Sequence, residues 1–145
     1  MQKQQIFEML NKNPVFFLAT AEGDAPHVRE MLLYKANKEG IVFQTGPHKE
    51  LHSQLLKNPK VELCFHNAAL NTQVRVKGEV EILDDIGLKT EIANHPTRAF
   101  MQQWKASCAT DEEFYNMFSV FRLKNGIANI WTFQSNFAPK EYIKL

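Results

Sequence analysis

The sequence predicts a mainly β fold with flanking helices, of the α+β class: six to seven antiparallel strands bent into a small barrel. Two observations carry this. Short runs of β-branched and aromatic residues recur at close spacing, separated by turns bearing glycine, asparagine or proline. Within TQVRVKGEVEIL (72–83) the pattern has period two, placing Val74, Val76, Val80 and Ile82 on one side and Gln73, Arg75, Lys77, Glu79 and Glu81 on the other. A strongly bent sheet closing on itself is the natural way for so many short strands to hide their edges.

Taken in order, residues 2–12 carry Ile6, Met9 and Leu10 at helical spacing, and Pro14 closes that segment. VFFLAT (15–20) reads as a buried strand, AEGD as a turn, APHVREMLLYK (25–35) as a second strand, and NKEG as the turn into IVFQT (41–45). HKELHSQLLKN (48–58) puts Leu51, Leu55 and Leu56 on one helical face, and Pro59 ends it. KVELCFHN (60–67) is a further strand, with Cys64 buried in it, followed by the strand at 72–83. Between 84 and 116 the pattern is helical, through Ile86, Leu88, Ile92, Phe100 and Trp104, with a break at His95-Pro96. MFSVFRL (117–123) and IANIWTF (127–133) are strands, and Asn125-Gly126 between them is a hairpin signal.

A chain of 145 residues suits one domain, 1–145, large enough to bury a core. The net charge of +1 argues against a dedicated nucleic-acid binder, while leaving room for a local basic pocket. Two cysteines are too few for a disulfide scaffold or a cysteine zinc site. MQKQQIFEML lacks the apolar core of a signal peptide, and no run reaches the length of a membrane helix, so a cytoplasmic protein without a membrane partner is expected.

Four places could carry chemistry. QTGPHKELH joins a strand to a helix: it offers the Thr45 hydroxyl, a turn glycine, and His48 and Lys49 where free N–H groups and the helix dipole favour an anion. His48 and His52 are a helical turn apart and could face one ligand; equally, Lys49 and both histidines could be solvated helix residues. Arg29 shares strand parity with Met31 and Leu33, so it must snorkel, pair or meet an anion, and Glu30 points to the opposite face. Gln73 and Arg75 face solvent by alternation, and Gly78 marks a bulge or a close backbone approach. Trp131 reads as core or as the wall of a site. Asp84-Asp85 and Asp111-Glu112-Glu113 read as helix caps, and no phosphate loop, nucleophile elbow or H-E-x-x-H motif is present.

These segments in this order, above all NTQVRVKGEV with a QVRV-x-G strand and RLKNGIANIW with a late R-L…I-x-x-W segment, resemble the pyridoxamine 5′-phosphate oxidase-related family of FMN-binding split barrels. The resemblance covers about residues 6–134. It implies a split barrel forming a homodimer with FMN in the interface grooves. It also implies a flavin-dependent oxidoreductase fed by a nicotinamide donor or another small redox partner.

By this resemblance Arg29 binds the FMN phosphate, and Met31 and Leu32 set backbone groups against the ring, with Glu30 adding a negative charge beside them. Gln44 and Thr45 stand where the family has an aromatic-Thr pair, and His48 and Lys49 match its phosphate clamp. Gln73 reaches the partner subunit's flavin with Arg75 nearby, and Trp131 lies beside the ring. Tyr34 replaces a lysine of the oxidases, and QSNFAPKEYIKL offers no match to their R-x-H-type substrate motif, so pyridoxamine 5′-phosphate oxidase activity itself is not expected. The alternative on the same fold is a non-catalytic electron carrier, or a haem protein using His27, His48, His52 or His66.

Overall fold

In the computed structural model, which describes residues 1–145, helix α1 (Lys3–Lys12) precedes strands β1 (Val15–Glu22), β2 (Ala25–Leu32), β3 (Lys35–Asn37) and β4 (Gly40–Thr45). Helix α2 (Glu50–Lys57), β5 (Lys60–Asn67) and β6 (Thr72–Leu83) follow. Helices α3 (Ile86–Ala93), α4 (Phe100–Ser107) and α5 (Asp111–Tyr115), with a 3-10 turn at Pro96–Arg98, lead into β7 (Ser119–Thr132) and β8 (Tyr142–Lys144). No helix is long and apolar enough to cross a membrane.

The strands form one antiparallel sheet in the order β2-β1-β5-β6-β7-β4-β3, with β8 on β7. It coils into a split barrel that does not close, as the resemblance implied. The end strands β2 and β3 are linked only by Leu33 and Tyr34, whose N–H groups donate to Pro14 O at 2.7 Å and Val42 O at 2.9 Å. That link divides the single strand expected over 25–35 in two.

Inside the barrel the rings of Phe16, Phe43, Phe65 and Phe121 make a contiguous group, with centroids 4.9 to 6.0 Å apart. Leu18, Leu63, Val74 and Val76 surround them, fully buried. Burying that many large apolar side chains, each worth about 1.5–3 kcal/mol, is what opposes the chain's conformational entropy. Helix α1 adds Ile6, Phe7, Met9 and Leu10 to the same core, and Asn11 fastens it to β3 by donating to Ala36 O and accepting from Ala36 N–H.

The expected hairpin at Asn125-Gly126 does not form: β7 runs straight through it. The twelve-residue β6 pairs with both halves of β7, and the register slips from Lys77↔Ile127 to Glu79↔Lys124. Asn125, at φ 54°, and Gly126 therefore make a bulge opposite Gly78. The Asn-Gly pair does hold a left-handed residue, but pairing along the long partner strand makes it a bend rather than a hairpin. β8, unforeseen, pairs with β7 at Ile127–Asn129.

Helices α3 to α5 form a second, smaller core outside the sheet, where Ile92, Met101, Phe114 and Phe118 pack on Val42 and Val120. Of the apolar residues that mark the helical pattern, Phe100 and Trp104 are exposed, because Met101 is the buried residue of α4, and Ile86, at the start of α3, is exposed too. Leu56 and Ile82 are likewise exposed: on α2 the buried positions are Leu51, Gln54 and Leu55, and Ile82 is half-exposed although Phe121 opposite it is buried. Cys64 is only half-buried, since its parity on β5 places it outside. The acidic caps hold in part: Asp85 accepts from Leu88 N–H, whereas Thr110, not the acidic run, caps α5.

Candidate functional site

The candidate residues fall into two groups on opposite sides of the sheet. Arg29, on the inward parity of β2, lies at the edge of the barrel against α2. Its Nη1 donates to Leu18 O at 3.2 Å and Thr20 Oγ1 at 2.9 Å, and its Nη2 to Gln54 Oε1 at 2.6 Å. Thr20 Oγ1 also donates to Gln54 Oε1, at 2.8 Å. All three acceptors are neutral. Burial lowers the Arg29 pKa, and the Glu50 carboxylate opposes that shift.

Beyond Arg29 the chain turns at Gly46-Pro47 into α2, whose N-terminus has no side-chain cap, because Lys49 stands at the capping position. Lys49 and His48 are exposed, and neither Lys49 nor Arg29 takes part in any of the three ion pairs of the protein. His48 precedes the helix and its ring packs over Gly46, where an added Cβ would stand 2.7 Å from Nδ1. His52 turns instead to β7, its Nε2 3.1 Å from Ser119 Oγ, across from the buried Thr45. The two histidines are therefore engaged separately rather than facing one ligand. No group of three or more histidine, cysteine, aspartate or glutamate residues gathers to hold a metal ion.

Met31 and Leu32 end β2 at the split. Across it stands Gln44 on β4, and Arg98, from the turn between α3 and α4, joins the two edges. Its Nη2 donates to Leu32 O at 3.1 Å and to Gln44 Oε1 at 3.2 Å, and its Nε to the same Gln44 oxygen at 3.3 Å. The sequence reading missed Arg98, and the only signal was a cation immediately after the helix break His95-Pro96.

The second group lies on the outer face. There Glu30, Phe17, Cys64, Arg75 and Asn129 form one row across β2, β1, β5, β6 and β7, and His66, Gln73 and Trp131 form another. Arg75 Nε is buried without a hydrogen bond: Glu62 Oε1 is 3.2 Å away, but poorly aligned. Burial raises the Cys64 pKa, while the Arg75 charge acts against that. Trp131 Nε1 donates to Asn136 Oδ1 at 2.9 Å. Phe17 and Val28 are 50% and 69% exposed on this face, so apolar area surrounds the polar row. Gln73, Arg75 and Trp131 thus do not meet Arg29, Thr45 and Lys49 within one chain.

A family model described as pyridoxamine 5′-phosphate oxidase matches residues 2–126. The chain belongs to the pyridoxamine 5′-phosphate oxidase family. Among curated relatives, a pyridoxine/pyridoxamine 5′-phosphate oxidase of Agrobacterium fabrum is 32% identical over 97 residues, 67% of this chain and 47% of the relative. One from Wolbachia pipientis is 42% identical over 69 residues, 47% of this chain and 32% of the relative. The chain thus spans less than half the length of these oxidases. Among solved structures, a NimC/NimA family protein from Clostridium acetobutylicum superposes with a TM-score of 0.75 at 25% identity, covering 98% of this chain and 92% of that one. A pyridoxamine 5′-phosphate oxidase-related, FMN-binding protein from Nostoc punctiforme gives 0.70 at 15% identity, covering 97% and 87%. The pyridoxamine 5′-phosphate oxidase fold thus extends over essentially the whole of this chain.

Proposed function

We propose that the protein is an FMN-binding homodimer that works as a small flavin-dependent oxidoreductase. The observation that carries this reading is the state of Arg29, a guanidinium at the open edge of the barrel whose acceptors are all neutral. Glu50 acts on it only from a distance, and a partly buried cation with no carboxylate in contact is best completed by an anionic ligand. Lys49 and the uncapped start of α2 are neighbours in the same segment and add an ammonium group and backbone N–H donors. That donor set fits the phosphate of FMN.

In this reading the ring lies along the split, where Met31 and Leu32 would supply backbone groups and Gln44 and Thr45 polar ones. Bound FMN supplies hydride or electron transfer, so the chain needs no nucleophile or catalytic triad of its own. Its residues bind, orient and tune. What supports the dimer is the outer face, where Phe17 and Val28 offer exposed apolar area beside the half-exposed Arg75. In this reading a two-fold pairing would bring Gln73, Arg75 and Trp131 of one protomer to the Arg29 edge of its partner.

The test is an absorption spectrum of the purified protein before and after adding FMN, with sedimentation of the same sample. Flavin bands, quenched fluorescence and one FMN per chain in a dimer are expected. A colourless protein indifferent to FMN overturns the reading.

A further inference from the structure

Arg98 is 1% exposed, and every acceptor around its guanidinium is neutral: Gln44 Oε1, Leu32 O and Thr97 Oγ1. The Tyr34 ring lies 5.6 Å from its carbon, and the Tyr34 hydroxyl donates in turn to Glu91 at 2.6 Å. A guanidinium has only donors, so Gln44 must present its oxygen to Arg98, and its amide NH2 must point the other way. That nitrogen donates to nothing in the chain, and it is not among the buried orphans, so it keeps solvent access and is free to donate to a ligand.

We infer that Arg98 is a positioning residue: by holding Gln44 Oε1 from behind, it aims the Gln44 amide N–H groups at a carbonyl-type acceptor of the ligand in the split. The inference rests on the FMN reading and deepens it by assigning that acceptor to the flavin ring. Two donors converging on one amide oxygen leave the side chain little rotational freedom. The charge behind the amide also polarises it, strengthening the N–H as a donor. Reduction places more negative charge on the ring, so a donor fixed there favours the reduced state. The same guanidinium ties Leu32 O, on the other edge of the split, to Gln44, so both walls are set by one side chain.

The discriminating variant is Gln44→Glu, which keeps an acceptor for Arg98 and removes the N–H groups. Wild type and variant are compared by FMN titration, flavin midpoint potential and thermal unfolding of the apoprotein. We expect apoprotein stability equal to or above wild type, an FMN Kd raised about tenfold, and a midpoint potential lowered by about 30 mV, the two-electron equivalent of a further tenfold loss on the reduced form. Arg98→Lys, which keeps the charge but loses the fork, should move the potential in the same direction. A Gln44→Glu protein with wild-type affinity and potential would show that Gln44 serves only to satisfy Arg98, overturning the inference while the FMN reading stands. A wild type that takes up no FMN overturns both.

Discussion

Arg29 and Gln54 meet at 2.6 Å, joining β2 to α2 through a guanidinium and an amide oxygen, with the Thr20 hydroxyl as the third member. The arrangement holds the cation in place without neutralising it. Arg29→Ala and Lys49→Ala are each expected to weaken FMN binding by about 1.5–3 kcal/mol, the size of a charged hydrogen bond. Titration by fluorescence quenching measures this, and unchanged affinity in both variants would sink the assignment.

Phe17 sits in the outer row between Glu30 and Cys64, with Arg75 one strand further on. A lysine there would set a charge in the middle of the proposed dimer face. Phe17→Lys is expected to sediment as a monomer and to bind FMN at least tenfold more weakly, because even beside Glu30 a charge taken out of water costs several kcal/mol. A variant that still sediments as a dimer would exclude this face.

Gly40 adopts φ 136°, and a Cβ on it would stand 2.7 Å from Leu123 O, a backbone atom that cannot step aside. Gly23, at φ 61°, has open space around it. Gly40→Ala should therefore destabilise the protein by about 2–3 kcal/mol, and Gly23→Ala by only about 1 kcal/mol. Urea unfolding separates the two, and equal losses would mean that backbone strain alone decides.

Glu91 accepts the Tyr34 hydroxyl at 2.6 Å, which together with nearby Lys35 and His95 holds its carboxyl below the usual range despite some desolvation. A depressed carboxyl pKa stabilises the fold above the unfolded value, and the gain is lost as pH falls through the folded one. Tyr34→Phe should thus lower Tm at pH 7, and the gap to wild type should narrow as pH falls below about 4. A gap that stays constant across that range would mean that the Tyr34–Glu91 bond contributes nothing through ionisation.

Much of the fold was legible because its signals are local. The period-two pattern at 72–83, the apolar run at 60–67 and the turn glycines depend only on neighbouring residues, and those strands appear where expected. Misreadings arose where a distant segment overrode local chemistry. Asn125 took its left-handed conformation, but the length of β6 made that a bulge. Arg29 was legible because a cation on an apolar strand face has to be answered. Arg98 was not, because nothing in HPTR shows that two strand ends lie beneath it.

Sequence alone determined most of the strands, the helical regions, the family and the residue types that suit an anion. Tertiary structure decided how they combine: that β7 runs through Asn125-Gly126, that His52 turns away from His48 to Ser119, and that Arg98 spans the gap between Leu32 and Gln44. The physical reason is range. Strand and helix preferences are set within a few residues, whereas a charge buried among neutral acceptors depends on atoms far apart in the chain, brought together only when the core forms.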